Sequence, residues 1–413
     1  MKFEDIRLLQ PQVLENVKAM GFSRPTNIQF KAIPHILEGE DILAIAQTGT
    51  GKTAAFAIPV VSNLIRTPRR RGYHGARCVV MEPTHELAQQ VAGVIKAVAK
   101  GTGVSVVAVY GGVGQDNQIA LLKGDADIVV ATPGRLFDLA SQGYLITSMV
   151  EVLVVDEADH MLALGFYDDI SQLVRKLPRR RQTLFFSATI DAKIKELAYS
   201  LVYRAVRIEM SQNKVSKNVT HQVLSVPMDE KRFFLERIAR ENPQGHIMVF
   251  VRTKVRAERV KAAMDRVGLT SVFLHGGMAQ RVRVDALDEF RDGKVQMLIT
   301  TDVAARGIDI PGVDYVVNYD VPEEPENYVH RVGRTGRGMA KGYALTLADP
   351  AEDGLIQDIE AYMQEHISIL RMAAPEREAT VDFSEDGANN WRELIKDAEP
   401  DDKRKSRGGK RRR

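Results

Sequence analysis

The feature that most constrains this chain is a rhythm in which short apolar runs alternate with longer stretches of helical periodicity. The runs DILAIA (41–46), RCVVME (77–82), VSVVAVY (104–110), ADIVVA (126–131), VEVLVV (150–155) and QTLFFS (182–187) form one series. A second series comprises HIMVFV (246–251), SVFLH (271–275), VQMLIT (295–300), DYVVN (314–318) and GYALTLA (342–348). Strands that are apolar on both faces belong inside a parallel sheet, covered by the intervening helices. The chain has 413 residues, too many for one ordinary domain and enough for two. The expected fold class is therefore α/β, as two tandem domains, each a mainly parallel sheet flanked by helices.

The boundaries follow from composition. Residues 1–209 hold the first series, and the polar, aperiodic MSQNKVSKNVT (210–220) reads as a linker. Residues 221–374 hold the second series, with strand structure resuming at HQVLSVP (221–227); from 375 to 413 the chain turns polar, charged and irregular. Eight of the last eleven residues, KRKSRGGKRRR, are Lys or Arg, so the overall charge of +3 conceals a mildly acidic body and a polycationic end. Such a segment has no apolar residue to bury and attracts polyanions without reading sequence; aiding solubility is the plainer role. No apolar run is long enough to span a membrane, the N-terminus lacks a signal-like stretch, and a lone Cys78 excludes an internal disulfide. A cytoplasmic protein is expected, with Cys78 as a small buried hydrophobe.

The chemistry lies where the strands end. DILAIA runs into AQTGTGKT (46–53) and then an apolar helix start, the pattern of a phosphate-binding loop with Ala46 in place of its usual first glycine. Gln47, Thr48, Gly49, Thr50 and Gly51 would wrap the phosphates, with Gly49 and Gly51 letting backbone N–H groups face them at a helix N-terminus. Lys52 would bridge the β- and γ-phosphates of ATP, and Thr53 would offer its hydroxyl to Mg²⁺. VEVLVV delivers Asp156 and Glu157 at another strand end. Acids there are often turn formers; beside a phosphate loop they read as a Mg²⁺ ligand, partly through water, and a residue that orients or deprotonates the attacking water.

Asp156-Glu157-Ala158-Asp159 spells the element after which DEAD-box RNA helicases are named, and the chain resembles that family over about residues 1–365, with its motifs in order. GFSRPTNIQ (21–29), which includes Phe22, is similar to the family's adenine-reading motif. The resemblance implies that Gln29 pairs with the adenine edge and that Phe3, separated from the start of this motif by seventeen residues, stacks nearby; a core aromatic is the alternative for Phe3. HRVGRTGR (330–337) implies that Arg334 and Arg337 act as arginine fingers on the γ-phosphate, while His330 couples to the acidic motif. Gly307 and Asp309 of TTDVAARGIDI (300–310) would approach the ribose and phosphates, although Asp309 also suits a simple turn. Ser187, Thr189 and Asp159 would link hydrolysis to unwinding, although Thr189 and Asp191 also suit a helix cap.

Other loops resemble the family's RNA contacts: Pro83, Thr84 and His85; Gly111 and Gly112; Thr132, Pro133, Gly134 and Arg135; Arg252 and Thr253; Gln280 and Arg283; and Thr301. Taken singly these are turn-like; taken in order they imply recognition of the RNA backbone without base reading. His85 departs from the family's usual Arg, which weakens a phosphate contact, and His160 replaces another common Arg. The runs Arg69–Arg71 and Arg179–Arg181 read as solvated loops. The expected activity is RNA-stimulated ATP hydrolysis by a monomer that locally separates short duplexes or remodels RNA–protein complexes. Its partners would be proteins of RNA–protein complexes, ribosome assembly or RNA decay. The rivals are an ATP-gated RNA clamp that unwinds little, and a DNA helicase or transport ATPase with similar ATP loops.

Overall fold

The computed structural model describes residues 2–47, 49–69, 72, 74–210, 215, 217–305, 308, 310, 312–336, 340–382 and 384. Its strands fall into two seven-stranded sheets. The first comprises β1 (Ile42–Ile45), β2 (Cys78–Met81), β3 (Val106–Val109), β4 (Ile128–Ala131), β5 (Val152–Val155), β6 (Gln182–Ser187) and β7 (Val206–Glu209). The second comprises β8 (Val219–Ser225), β9 (Ile247–Phe250), β10 (Ser271–Leu274), β11 (Met297–Thr300), β12 (Tyr315–Asn318), β13 (Gly342–Ala348) and β14 (Ser368–Leu370). Their orders, β3-β4-β2-β5-β6-β1-β7 and β10-β11-β9-β12-β13-β8-β14, are one topology used twice. The described pairings are parallel.

Strand parity builds the two cores of each sheet. In β1, Ile42 and Ala44 join one apolar cluster and Leu43 and Ile45 the other, because successive side chains point to opposite faces. Helices Asn27–Leu37, Lys52–Arg66 and His85–Val98 cover the first face, and Pro133–Ser141, Tyr167–Lys176 and Ala192–Leu201 supply buried residues to the second. Cys78 is fully buried within β2. β7 and β14 escape the sequence rhythm because each is an edge strand with little or no buried surface, so burial does not impose an apolar run.

Two boundaries differ from expectation. β8 begins at Val219, inside the predicted linker, where Val219 pairs beside Gly342 in the sheet. Residues 374–382 are helical rather than irregular. This helix docks through polar groups: Arg237 reaches Glu376 and Thr380, and Arg377 grips Glu230 with two bonds of 2.7 Å. Polar docking leaves no apolar periodicity to read. The basic run 403–413 lies outside the described residues.

Candidate nucleotide site and nucleic-acid rim

The carboxyl ends of four neighbouring strands, β2, β5, β6 and β1, lie side by side and deliver Glu82, Asp156, Ser187 and the phosphate loop to one rim. This is where open parallel sheets bind ligands. The loop turns into helix Lys52–Arg66 through Gly51, at φ +91°. A Cβ on Gly51 would sit 2.5 Å from Gln29 Nε2, so glycine satisfies both the left-handed backbone and the close approach.

Gln29 holds this turn from behind. Its Nε2 donates to the Gly51 carbonyl at 3.1 Å and its Oε1 accepts from Thr26 N–H at 3.0 Å, while Thr26 Oγ1 donates to the Thr50 carbonyl at 2.9 Å. The first two bonds leave spare capacity on each end of the amide. Phe22, Arg24, Thr26, Gln29, Gly49, Gly51, Lys52 and Thr53 line a cleft of about 330 Å³ with Asp156 and Glu157. Phe3 does not reach the cleft wall: it is 2% exposed in the apolar core with Ile6, Val13 and Val17. Among the described residues, the aromatic that lines the cleft is Phe22. The placement of Phe3 matches the alternative of a core aromatic.

Lys52 Nζ donates to Glu157 Oε1 at 2.7 Å and lies 3.7 Å from Asp156 Oδ1. Burial opposes the ammonium charge, but Glu157 and Asp156 together hold its pKa above the ordinary value. Burial pushes the Asp156 carboxyl up to about 6, against the pull of Lys52. Burial also acts on Glu157, yet Lys52 overcomes it and keeps that group ionised. Glu157 adopts a left-handed backbone (φ 49°, ψ 46°), and its N–H donates to Asp156 Oδ1 at 2.8 Å. A non-glycine residue in that region is an observed strain, of the kind that clusters at functional sites. Thr53 and Asp156 offer hard oxygen ligands, which suit Mg²⁺, and the buried acids exceed the one lysine among them, leaving negative charge for a cation to balance.

The opposite wall comes from the second sheet. Ile308 and Arg334 line the same cleft as Lys52. Arg334 Nη1 donates to the Ile308 carbonyl at 2.8 Å and Nε to the His330 carbonyl at 3.2 Å, so carbonyls rather than carboxylates hold its guanidinium in these bonds. His330 is close enough to favour ionisation of Glu157. Arg331, between them, is structural: it is 2% exposed and doubly bonded to Asp302. Thr48, Gly307, Asp309 and Arg337 lie outside the described residues.

The expected nucleic-acid residues occupy the other half of each rim, after β3, β4 and β2 and after β10, β11 and β9. Thr84 and Thr253 cap helices His85–Val98 and Lys254–Arg266 by accepting from Leu87 N–H and Arg256 N–H, and Thr132 precedes helix Pro133–Ser141, which starts on Pro133. Gly111 and Gly112 follow β3, Gly134 lies in the first turn after Pro133, and Thr301 is buried after β11. Arg135 donates to the Val113 carbonyl at 3.0 Å. His85 is stacked on Tyr110, with ring centroids 5.0 Å apart, and burial lowers its pKa. Like Arg135, three further expected contacts are engaged within the protein. Arg252 bonds the Val321 carbonyl and Glu352. Gln280 and Arg283 both reach Glu86 of the first sheet's helix His85–Val98, at 3.1 and 2.8 Å.

Around the coupling motif, Ser187 is fully buried at the end of β6 and Asp159 sits in the first turn of helix Ala158–Ala163. Asp191, not Thr189, caps helix Ala192–Leu201, accepting from Ile194 N–H at 2.8 Å. Sequence reasoning missed Arg24, Leu87, Gln90, Val94 and Ile308 on the cleft wall, and the buried Glu82. Leu87, Gln90 and Val94 share one face of a helix, a spacing indistinguishable from ordinary packing. Glu82 did carry a signal, since RCVVME ends in an acid just as VEVLVVDE does.

Residues 26–197 match the model of the DEAD/DEAH box helicases, and residues 230–339 match the helicase conserved C-terminal domain. The chain is 38% identical over 365 residues to the ATP-dependent RNA helicase CshA of Listeria monocytogenes, covering 88% of this chain and 69% of that protein. Among solved structures, it is similar to S. cerevisiae Dbp5 bound to RNA and ADP BeF3, with a TM-score of 0.81 and 29% identity, over 96% of this chain and 98% of that one. It also resembles Mss116p bound to ssRNA and AMP-PNP, with a TM-score of 0.84 and 26% identity, over 96% and 84% of the two chains.

Proposed function

Because the chain belongs to the DEAD-box helicase family and is an ATP-hydrolysing RNA helicase, we propose that it cleaves ATP at the seam between its two sheets and uses closure of that seam to distort RNA. The observation that carries this reading is one cleft walled by Lys52, Asp156 and Glu157 from the first sheet and Arg334 from the second.

The phosphates of ATP and Glu157 compete for a single ammonium. When Lys52 turns to the β- and γ-phosphates, Glu157 loses the partner that keeps its basicity low, and it becomes able to orient and deprotonate the attacking water. Thr53 and, partly through water, Asp156 would hold Mg²⁺, which would supply positive charge against the phosphate oxygens. Arg334, joined by Arg337, stabilises charge developing on the γ-phosphate, a contribution of roughly 10³–10⁵ in rate for arginine fingers. Ser187, Thr189, Asp159 and His330 relay the state of the acids to the RNA side, and Gly307 and Asp309 approach the ribose and phosphates.

RNA runs along the other half of the rim, over the starts of helices His85–Val98, Pro133–Ser141 and Lys254–Arg266, where helix N-termini and small residues favour phosphates. Backbone contacts of this kind give sequence-independent binding and act on short duplexes, with remodelling of RNA–protein complexes as the same action on a different load. One chain supplies both walls, and the reading takes a monomer as the working unit. A cytoplasmic location with ribosome-assembly or decay partners suits this reading, and no helix among the described residues is long and apolar enough to cross a membrane. Displacement of a short RNA strand under single-turnover ATP, compared with a DNA duplex of the same sequence, tests the proposal. RNA-selective, ATP-dependent displacement is expected. ATP hydrolysis with retention on RNA but no displacement would favour the clamp.

A further inference from the structure

Glu82 lies at the end of β2, next to the β5 end that bears Asp156, since Met81 is in register with Val155. Val80 and Val154 belong to the same core face, and parity places Glu82 and Asp156 on that face too, the one carrying helix Lys52–Arg66. Glu82 is fully buried, and neither carboxyl oxygen has a hydrogen-bond partner. Its electrostatic neighbours are the groups of the nucleotide site: Asp156, Glu157 and Lys52. Burial, with Asp156 and Glu157 nearby, pushes the Glu82 carboxyl well above its usual pKa, and a buried carboxyl without a hydrogen-bond partner is costly, so donors brought in by a filled site would offset that cost.

The three carboxyls do not all come within 4.8 Å of one another; among the described residues only His35, Glu38 and Glu40 do. They therefore do not form a joint cage for a bare ion. A hydrated cation on the Asp156 side would instead present water hydrogens as the donors Glu82 lacks. We propose that Glu82 is a positioning residue of the nucleotide site, anchoring the water shell of the divalent cation behind Asp156. This rests on the assignment of the cation to Thr53 and Asp156. Outer partners of this kind set metal affinity by about 10–100-fold.

The test uses the full chain and a fluorescent ADP, titrated with Mg²⁺ and repeated in EDTA. Glu82→Ala is expected to raise the half-saturating Mg²⁺ concentration about tenfold, with Glu82→Gln shifted less in the same direction. Binding in EDTA should be unchanged, and thermal unfolding without nucleotide should be no lower than in the parent. A purely structural role would lower the unfolding temperature and weaken binding equally in EDTA, which overturns the proposal. Unchanged Mg²⁺ dependence in both variants also overturns it. Asp156→Asn run alongside tells the failures apart: if it shifts the Mg²⁺ dependence while the Glu82 variants do not, the Glu82 role alone falls, and if it does not, the cation assignment falls too.

Discussion

At the scale of single residues, the proposed mechanism is a contest for one ammonium. Lys52 is buried against Glu157 at 2.7 Å, and this contact keeps the carboxylate ionised and weakly basic. Glu157→Gln removes the charge but keeps the shape and one acceptor oxygen. The variant should bind ATP and RNA at near-parental affinity while steady-state ATP turnover falls by about 10²–10⁴. Parallel nucleotide-binding and phosphate-release measurements check this; loss of ATP binding would make Glu157 a support for Lys52 instead. The residues legible in sequence were those whose chemistry is tied to a strand end and a glycine turn. Phe3 was not, because an aromatic near a motif reads the same whether it packs or stacks.

At the scale of elements, charged groups do structural work in the second sheet. Lys231 is fully buried and bonds Glu352 at 2.6 Å, and Glu352 also accepts from Arg252. This ties helix Lys231–Glu241 to the segment after β13 and to the loop after β9, and it draws Arg252 away from a simple role as an RNA contact. Breaking one side of a buried pair leaves an uncompensated charge and costs about 3–5 kcal/mol. Glu352→Ala should therefore lower the urea midpoint of the transition assigned to the second sheet, followed through probes on that half, and leave the first half unchanged. The seven-stranded rhythm was legible except at β7 and β14. Edge strands need no apolar run, and the helix at 374–382 is held by ion pairs that carry no periodic signal.

At the scale of the whole molecule, two seams between the sheets stand out among the described residues: the cleft with Lys52 and Arg334, and the contact of Glu86 with Gln280 and Arg283. If both belong to the closed state, ATP and RNA each tighten the other through it, typically by 1–3 kcal/mol. Glu86→Ala and Arg283→Ala should each reduce that mutual tightening while leaving nucleotide affinity without RNA unchanged. The double variant should be no worse than either single one. Titrating an ATP analogue with and without RNA measures the coupling; full additivity of the two losses would show that the contact does not act as a unit.

The alternation of apolar runs determined two parallel sheets, and glycine, lysine and acid at strand ends marked the phosphate site proposed for it, because backbone geometry and burial act locally on the residues that carry them. What needed the tertiary structure was every relation between distant segments. The two copies of one strand order, the placement of Arg334 opposite Lys52, the burial of Glu82 beside Asp156 and the bonding of Glu86 to Arg283 depend on which surfaces meet. That is settled by the packing of whole layers, and no single stretch of sequence contains it.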